Sequence, residues 1–334
     1  MFSNDIGVDL GTANTLIYKR GKGIIMREPS VISVNTETGK IVAVGNEAKK
    51  MLGRTPREIK STRPLVDGVI ADFDCAAKML REFIKKTKSG GIFNKTRVVV
   101  CYPVGVSEVE KMAIEDAAGD TGAKKVYLIP EPFASAVGAN LPVFDASGSM
   151  IVDIGGGTTE VAVLSLGGIV TSCSLRCAGD DMDKNIVNYV KKKYNLLIGE
   201  RTAETVKLAI GSAFEGTEKA PSAEVRGRDL LNGLPSMIEL SAEDVRDAII
   251  PSVEKIAEAV HGTLEETPPE LAGDIVENGI MLSGGGAMIA GIDKYLSKRL
   301  GVKVKIAADP LDCVAVGAGK MFDFLDTIDD ITVG

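Results

Sequence analysis

The stretch Ile6-Gly7-Val8-Asp9-Leu10-Gly11-Thr12-Ala13-Asn14-Thr15-Leu16-Ile17-Tyr18 carries apolar residues up to an aspartate, turns through glycine and resumes as β-rich sequence. It reads as strand, tight turn and strand. The pattern returns 144 positions later as Ile151-Val152-Asp153-Ile154-Gly155-Gly156-Gly157-Thr158-Thr159-Glu160-Val161-Ala162-Val163, with Asp153 in the place of Asp9, Gly155 of Gly11 and Thr159 of Thr15. Two copies at such a distance are not a solenoid; they imply two related halves, each built around one glycine hairpin. The length of 334 residues fits that division, since a domain takes roughly 100–200 residues.

Between and after the hairpins, helical and strand patterns alternate, which implies a sheet flanked by helices in each half. Residues 75–88 place Ala76, Met79, Leu80 and Phe83 at helical spacing, and Ser107-x-x-Glu110 is a capping box that opens a helix through Ala118. Residues 98–102 and 126–129 read as strands that run into Pro103 and Pro130. In the second half, residues 182–194, 202–214 and 241–263 read as helices, the last opened by Ser241-x-x-Asp244 and kinked or split at Pro251. The segment 216–222 reads as an exposed loop of a smaller inserted subdomain. Residues 279–287 form a strand that breaks into Gly284-Gly285-Gly286-Ala287 ahead of a helix through Leu300, and a last helix runs from Pro310 to about Leu325.

Glycine turns of this kind suit a phosphate. Backbone N–H groups can close on an anion only where no Cβ blocks the approach. An aspartate at the end of each leading strand, Asp9 and Asp153, would repel a bare polyphosphate, but with Mg²⁺ between them, held through water, the charges balance. Thr12 and Asn14 in one hairpin, and Thr158 and Thr159 in the other, add donors. One such turn alone is most often a plain hairpin; two in matching register, with a third glycine run before a helix, point to phosphate binding. There is no GxxxxGK[ST] motif, and the chain after Gly11 resumes as a strand rather than a helix, so neither a Walker loop nor a dinucleotide-binding fingerprint is present.

Composition narrows the remaining classes. With 45% hydrophobic and 25% charged residues the chain folds rather than staying disordered. The net charge of −7 and the lack of an arginine-rich stripe argue against a nucleic-acid partner. The single histidine, His261, rules out a histidine triad or a multi-histidine zinc site, and is expected to be an ordinary helix residue. The five cysteines, Cys75, Cys101, Cys173, Cys177 and Cys313, include no CxxC pair and are expected to be buried free thiols in a reducing cytosol. No signal peptide opens the sequence and no apolar run reaches about 18 residues, so no membrane-spanning segment is expected.

Taken together, these residues resemble the actin, Hsp70 and sugar-kinase superfamily, and within it the rod-shape-determining bacterial actins of the MreB/Mbl family. Residues 9–15 resemble the first phosphate motif, 153–160 the second, Ser283-Gly284-Gly285-Gly286-Ala287 the adenosine motif and Glu131-Pro132-Phe133-Ala134 the connecting motif. Residues 68–73, 199–204 and 267–271 are also similar, so the likeness covers essentially the whole chain. It implies an α/β, actin-like duplicated ATPase fold of two lobes with ribonuclease H-like cores and a nucleotide cleft between them. The first lobe would hold 1–140 plus about 312–334, with a small insertion at about 32–66, and the second 141–311, with an insertion at about 181–240.

The resemblance also assigns roles. ATP would contact Gly11, Thr12, Ala13 and Asn14, then Gly155, Gly156, Gly157 and Thr158, the helix face of Glu204, Thr205, Val206 and Lys207, and finally Gly284, Gly285, Gly286 and Ala287. Mg²⁺ would lie near Asp9 and Asp153, Glu131 would polarise the attacking water and Thr158 would help to place it. Taken alone, Glu131 is equally an acid favoured at a helix N-terminus, and Glu204 with Lys207 an ordinary i,i+3 surface pair. Pro130 departs from relatives that carry a second acid there. Lys184 and Lys191-Lys192-Lys193 read as a solvated face.

Residues 85–97 set five cations, Lys85, Lys86, Lys88, Lys95 and Arg97, and no carboxylate around Ile92-Phe93. Near an anionic leaflet each cation contributes about 1 kcal/mol, and an inserted Phe or Ile adds roughly 1.5–3 kcal/mol. A solvated loop with Ile92 and Phe93 tucked back is as good a reading of these residues; the resemblance favours membrane contact at the inner face of the cell membrane, with Met1-Phe2 assisting. It further implies a cytoplasmic protein that forms head-to-tail homopolymers, paired as protofilaments, and works with membrane-bound cell-wall elongation proteins in organising peptidoglycan synthesis. The alternatives are a soluble small-molecule kinase of the same superfamily, for which no sugar-kinase signature is found, and an Hsp70-type chaperone, for which no peptide-binding domain follows the ATPase motifs within these 334 residues.

Overall fold

The computed structural model describes residues 5–66, 68–87 and 96–332. Met1-Phe2, Ile92 and Phe93, and with the latter pair the expected membrane contact, lie outside the described residues. The chain forms two compact units: Met1–Asp145 with Leu166–Ile169 and Leu311–Gly334, and Ala146–Ser165 with Val170–Pro310.

The first unit contains β1 (Ile6–Leu10), β2 (Asn14–Lys19), β3 (Gly23–Pro29), β4 (Ile32–Asn35), β5 (Ile41–Val44), α1 (Asn46–Met51), β6 (Ile59–Thr62), β7 (Leu65–Val66), β8 (Val69–Ile70), α2 (Phe73–Thr87), β9 (Arg97–Tyr102), α3 (Glu108–Gly119), β10 (Lys125–Pro130) and α4 (Glu131–Gly138), completed by the C-terminal helix Cys313–Thr332. Its main sheet has the order β10-β9-β1-β2-β3, and β5-β4-β6 form a separate small sheet. The spacing on α2 does what it predicts: Ala76, Met79, Leu80 and Phe83 are buried against Val8, Val98 and Val100 of the sheet. A fully buried side chain of the size of Phe83 or Met79 contributes about 1.5–3 kcal/mol. The Ser107 capping box forms as expected, with Ser107 N–H donating to Glu110 Oε2 at 2.7 Å.

The second unit contains β11 (Ser149–Ile154), β12 (Thr159–Ser165), β13 (Gly168–Leu175), α5 (Gly179–Tyr194), β14 (Leu196–Leu197), α6 (Glu200–Ile210), β15 (Ser222–Asp229), β16 (Pro235–Ser241), α7 (Ala242–Glu265), α8 (Pro269–Asn278), β17 (Ile280–Ser283), a 3-10 turn at Gly285–Met288, α9 (Ile292–Leu300) and β18 (Val304–Ile306). Its sheet has the order β13-β12-β11-β17-β18, with β14-β15-β16 as a separate small sheet.

The duplication read from the sequence extends to the hydrogen-bond ladders. In the first hairpin Asp9 faces Leu16 and Leu10 faces Thr15; in the second Asp153 faces Glu160 and Ile154 faces Thr159. Each leading strand has a parallel neighbour on its other side, Asp9 level with Cys101 of β9 and Asp153 level with Ser283 of β17.

Several expectations are corrected. Of the two readings at Pro251, the split is corrected: helix α7 is continuous through it. Pro251 and Asp247, whose carbonyl loses its partner there, are both exposed, so water can take up the freed oxygen without a break. Helix α6 ends at Ile210 and the C-terminal helix runs on to Thr332. Cys173 is exposed, whereas the other four cysteines are buried.

Lys184, Lys191, Lys192 and Lys193 are exposed, as expected, but Lys193 is also paired. Its Nζ lies 2.5 Å from Asp244 Oδ1, and Tyr194 Oη donates to Asp244 Oδ2 at 2.8 Å. Burial pushes the Asp244 carboxyl up, but the bonds from Lys193, Tyr194 and Ser241 outweigh it and hold it below the ordinary range. Of the five cations around Ile92-Phe93, Lys85 pairs with Glu82 at 2.7 Å, and Arg97 binds the fully buried Asp5 at 2.5 Å and stacks on Phe322. Arg97 is thereby committed to the core rather than to a surface.

The C-terminal helix lies across α4 at a contact that only glycine permits. A Cβ on Gly317 would overlap the carbonyl of Ala134, and one on Gly138 the carbonyl of Cys313. Lys320 Nζ then reaches Asn140 Oδ1 at 2.5 Å, just past the end of α4.

Two predictions follow from this packing. Gly317→Ala should lower stability by about 1–3 kcal/mol or more in urea unfolding, while Gly262→Ala, where a helical Cβ meets open space, should raise it by about 0.5–1 kcal/mol. A carboxyl held below its unfolded value stabilises fully above that value and loses the contribution as pH falls; the acid limb of urea stability below about pH 4 should therefore flatten in Asp244→Asn.

Candidate functional site

The second hairpin is the better furnished of the two. Gly155 N–H donates to Thr158 O at 2.8 Å and closes the turn. The turn carbonyls point away from its open side: Gly155 O accepts from Gly179 N at 3.2 Å and Gly156 O from Asp180 N at 2.8 Å, both at the start of α5. Behind the turn, Thr159 Oγ1 donates to Cys177 O at 2.8 Å. Thr158 is half-buried and Asp153, at the end of β11, is 7% exposed.

The third glycine run packs against this aspartate. Gly284 has φ +80°, and a Cβ there would overlap both Asp153 Oδ1 and the Ile154 carbonyl, so the backbone can approach the carboxylate only as glycine. Gly284 N–H donates to Pro310 O at 2.8 Å, Gly286 lies on the Ile154 side chain, and Gly286 and Ala287 are buried. The run enters a 3-10 turn, and α9 begins only at Ile292, later than the sequence suggests.

The first hairpin reaches the same arrangement by different means. Here Ser30 takes up the turn carbonyls: its Oγ donates to Gly11 O at 2.5 Å and its N–H to Ala13 O at 3.0 Å. Thr15, the counterpart of Thr159, is buried with its Oγ1 2.9 Å from Ser30 Oγ. Thr12 Oγ1 accepts from Gly68 N at 3.1 Å, Asn14 is exposed and Asp9 is half-buried. In both hairpins the carbonyl oxygens are tied back, which removes their repulsion from the side an anion would approach.

Glu131 is the first residue of α4, immediately after Pro130, whose backbone (φ −59°, ψ 134°) ends β10 opposite Tyr102. Two prolines, Pro130 and Pro132, fix the chain around it, and the half-buried carboxylate stands at a helix N-terminus, where the dipole favours negative charge.

On α6 the four residues expected to meet a nucleotide divide. Glu204 is half-buried; Thr205 is exposed, with its Oγ1 bonded to Arg201 O at 2.8 Å; Val206 is 4% exposed and packs in the core. Lys207 turns inward: Nζ donates to Gly179 O at 2.7 Å and lies 2.9 Å from Asp183 Oδ1, at ion-pair distance though not in hydrogen-bond alignment. Both side chains are 9% exposed. Burial pushes the Asp183 carboxyl up to about 6 against the opposing pull of Lys207, with Glu204 and Asp180 adding further negative charge. None of the sequence motifs contains Asp183. Its signal is its place on the stripe Gly179, Met182, Asp183, Ile186, Val190, where a carboxylate interrupts the apolar face of α5.

Comparison with known proteins fits this geometry. The family model for MreB/Mbl protein matches residues 3–330. The cell shape-determining protein Mbl of Bacillus cereus is 49% identical over 328 residues, 98% of each chain. The cell shape-determining protein MreB of Escherichia coli K12 is 50% identical over 331 residues, 98% of this chain and 95% of that one. Among solved structures, MreB 5 of Spiroplasma citri bound to AMPPNP superposes with TM-score 0.92 and 39% identity over the whole of both chains. The MamK double helical filament, 24% identical over 96% of this chain and 98% of that chain, shares the fold with TM-score 0.81. With a family model spanning nearly its full length and relatives half identical throughout, the chain belongs to the MreB/Mbl family of bacterial actin-like cell-shape proteins.

Proposed function

We propose that the protein binds and slowly hydrolyses ATP, and that it assembles head to tail into filaments that lie on the inner face of the cell membrane and organise peptidoglycan synthesis in rod-shaped cells. The observation that carries the nucleotide reading is the pair of Asp-Gly hairpins in identical register, each with its turn carbonyls tied back, the second joined by the Gly284 run. The relative from Spiroplasma citri, 39% identical along its whole length, binds AMPPNP, and a further structure of that protein binds ADP.

The donor set fits Mg²⁺. Asp9 and Asp153 offer carboxylate oxygens, the ligand a hard cation takes, and glycine at 284 lets the backbone approach Asp153 Oδ1 where a Cβ would overlap it. Among the described residues no group of three or more His, Cys, Asp or Glu converges as a metal site, so phosphate and water oxygens would complete the shell. Mg²⁺ supplies neutralisation of the phosphate charge. The protein's own part is alignment. Glu131 would accept a hydrogen bond from the water and draw its proton, Thr158 would hold that water in line, and the glycine N–H groups would follow the charge that develops on the phosphoryl oxygens. The Gly284–Ala287 turn and the Glu204–Lys207 face of α6 would receive the nucleoside.

Filament formation and the membrane rest on family membership and, for the membrane, on the residues around Ile92-Phe93. With Arg97 committed to the buried Asp5, one cation fewer faces a lipid surface, so attachment depends more on inserted apolar side chains and on many copies along a polymer.

Two experiments test this reading. Glu131→Ala should retain nucleotide in calorimetry yet slow phosphate release about 10²-fold or more; wild-type turnover would remove Glu131 from the chemistry. Ile92→Ser with Phe93→Ser should abolish co-sedimentation with anionic liposomes while ATP hydrolysis persists, and unchanged sedimentation would rule the loop out.

A further inference from the structure

The ion pair between Lys207 and Asp183 joins two elements that carry different parts of the site. Lys207 belongs to α6, on the nucleoside side; Asp183 and Gly179 belong to α5, whose first N–H groups hold the Gly155 and Gly156 carbonyls of the phosphate hairpin. The ammonium bridges them, bonded to Gly179 O at 2.7 Å and set 2.9 Å from the Asp183 carboxylate.

A lone buried ammonium would leave this position for solvent or shed its proton, because desolvation of an unpaired charge costs several kcal/mol. Asp183 supplies the counter-charge from a side chain only 9% exposed, and pays for it in a carboxyl pushed up to about 6. A hydrophobic residue on the buried stripe of α5 would cost nothing of the kind, so the carboxylate has no packing rationale.

We propose that Asp183 is a positioning residue for the nucleotide: it pins the Lys207 ammonium to the Gly179 carbonyl and so locks the nucleoside-contacting helix α6 to the start of α5 on which the Gly155–Gly157 hairpin rests. The inference deepens the ATP reading above and depends on it. Asp183 itself touches no part of the nucleotide. Its effect runs through preorganisation: with α6 and the hairpin already locked, the nucleotide does not have to order one against the other on binding. Loss of the lock therefore weakens binding and leaves the aligned chemistry of the bound complex intact.

The test uses the full chain, calorimetry with Mg-ADP, and steady-state phosphate release from Mg-ATP. Asp183→Asn should raise both Kd for Mg-ADP and KM for Mg-ATP about tenfold while kcat stays within about twofold of wild type. Lys207→Met should weaken binding at least as much, and the Asp183→Asn, Lys207→Met double variant should bind no more weakly than Lys207→Met alone, because one interaction cannot be removed twice. Wild-type Kd in Asp183→Asn, or single effects that add in full in the double variant, would overturn the proposal. If Asp183→Asn does not fold, Asp183→Ser takes its place and is read the same way: wild-type Kd overturns the lock, and a Kd raised about tenfold that the added Lys207→Met does not raise beyond Lys207→Met alone supports it. A wild-type chain that neither binds Mg-ADP nor releases phosphate would instead defeat the ATP reading, and this inference with it.

Discussion

A turn proposed to offer N–H groups to an outside anion has to be held mainly through its other atoms, although Gly155 N–H does close its own turn. The two glycine hairpins are held from other directions. Parallel ladders to β9 and β17 fix the aspartate-bearing strands from the side, and bonds to the turn carbonyls fix the tips from behind. The first unit uses the single residue Ser30 for the second task, the second unit the N-terminus of α5. The buried threonines Thr15 and Thr159 do equivalent work at equivalent positions, although one bonds a hydroxyl and the other a carbonyl. The backbone of both candidate turns is thus over-determined by its surroundings.

The parts of this arrangement that depend on local chemistry are legible in the sequence. The duplicated turn shows itself because its aspartate, glycine and threonine recur at one spacing, and the hydrogen-bond register repeats at that same spacing. The capping boxes at Ser107 and Ser241 and the apolar stripe of α2 are read correctly because each involves residues within a turn or two of one another. What escapes is pairing across long separations. Lys193 reaches Asp244, Arg97 reaches Asp5, and both lysine and arginine look free until the partner is known. The split read at Pro251 fails in the opposite sense, since a break there assumes a carbonyl with no water to turn to.

At the candidate site the same division holds. Glycines, the two aspartates and Glu131 announce themselves by motif, whereas the partners that hold them do not. Ser30 carries no motif of its own, and Asp183 is visible only as a charge out of place on an apolar face. Motifs record what touches the ligand; the residues that aim those motifs are found through contacts. Lys207 shows the difference: in place of an ordinary surface pair with Glu204, it lies nearly buried against Asp183 and Gly179 of α5.

The first unit is discontinuous in sequence, since its C-terminal helix crosses α4 at Gly138 and Gly317 and covers Gly7 of β1. On the ribosome this sets an order of events. The 146–310 stretch can complete its core, apart from the short tip at Leu166–Ile169, while the chain is still being made. The sheet of the first unit, translated earlier, keeps a face uncovered until residues 313–332 emerge. The earliest-made half is therefore the last to close, and for that interval chaperones have an exposed apolar strand to protect.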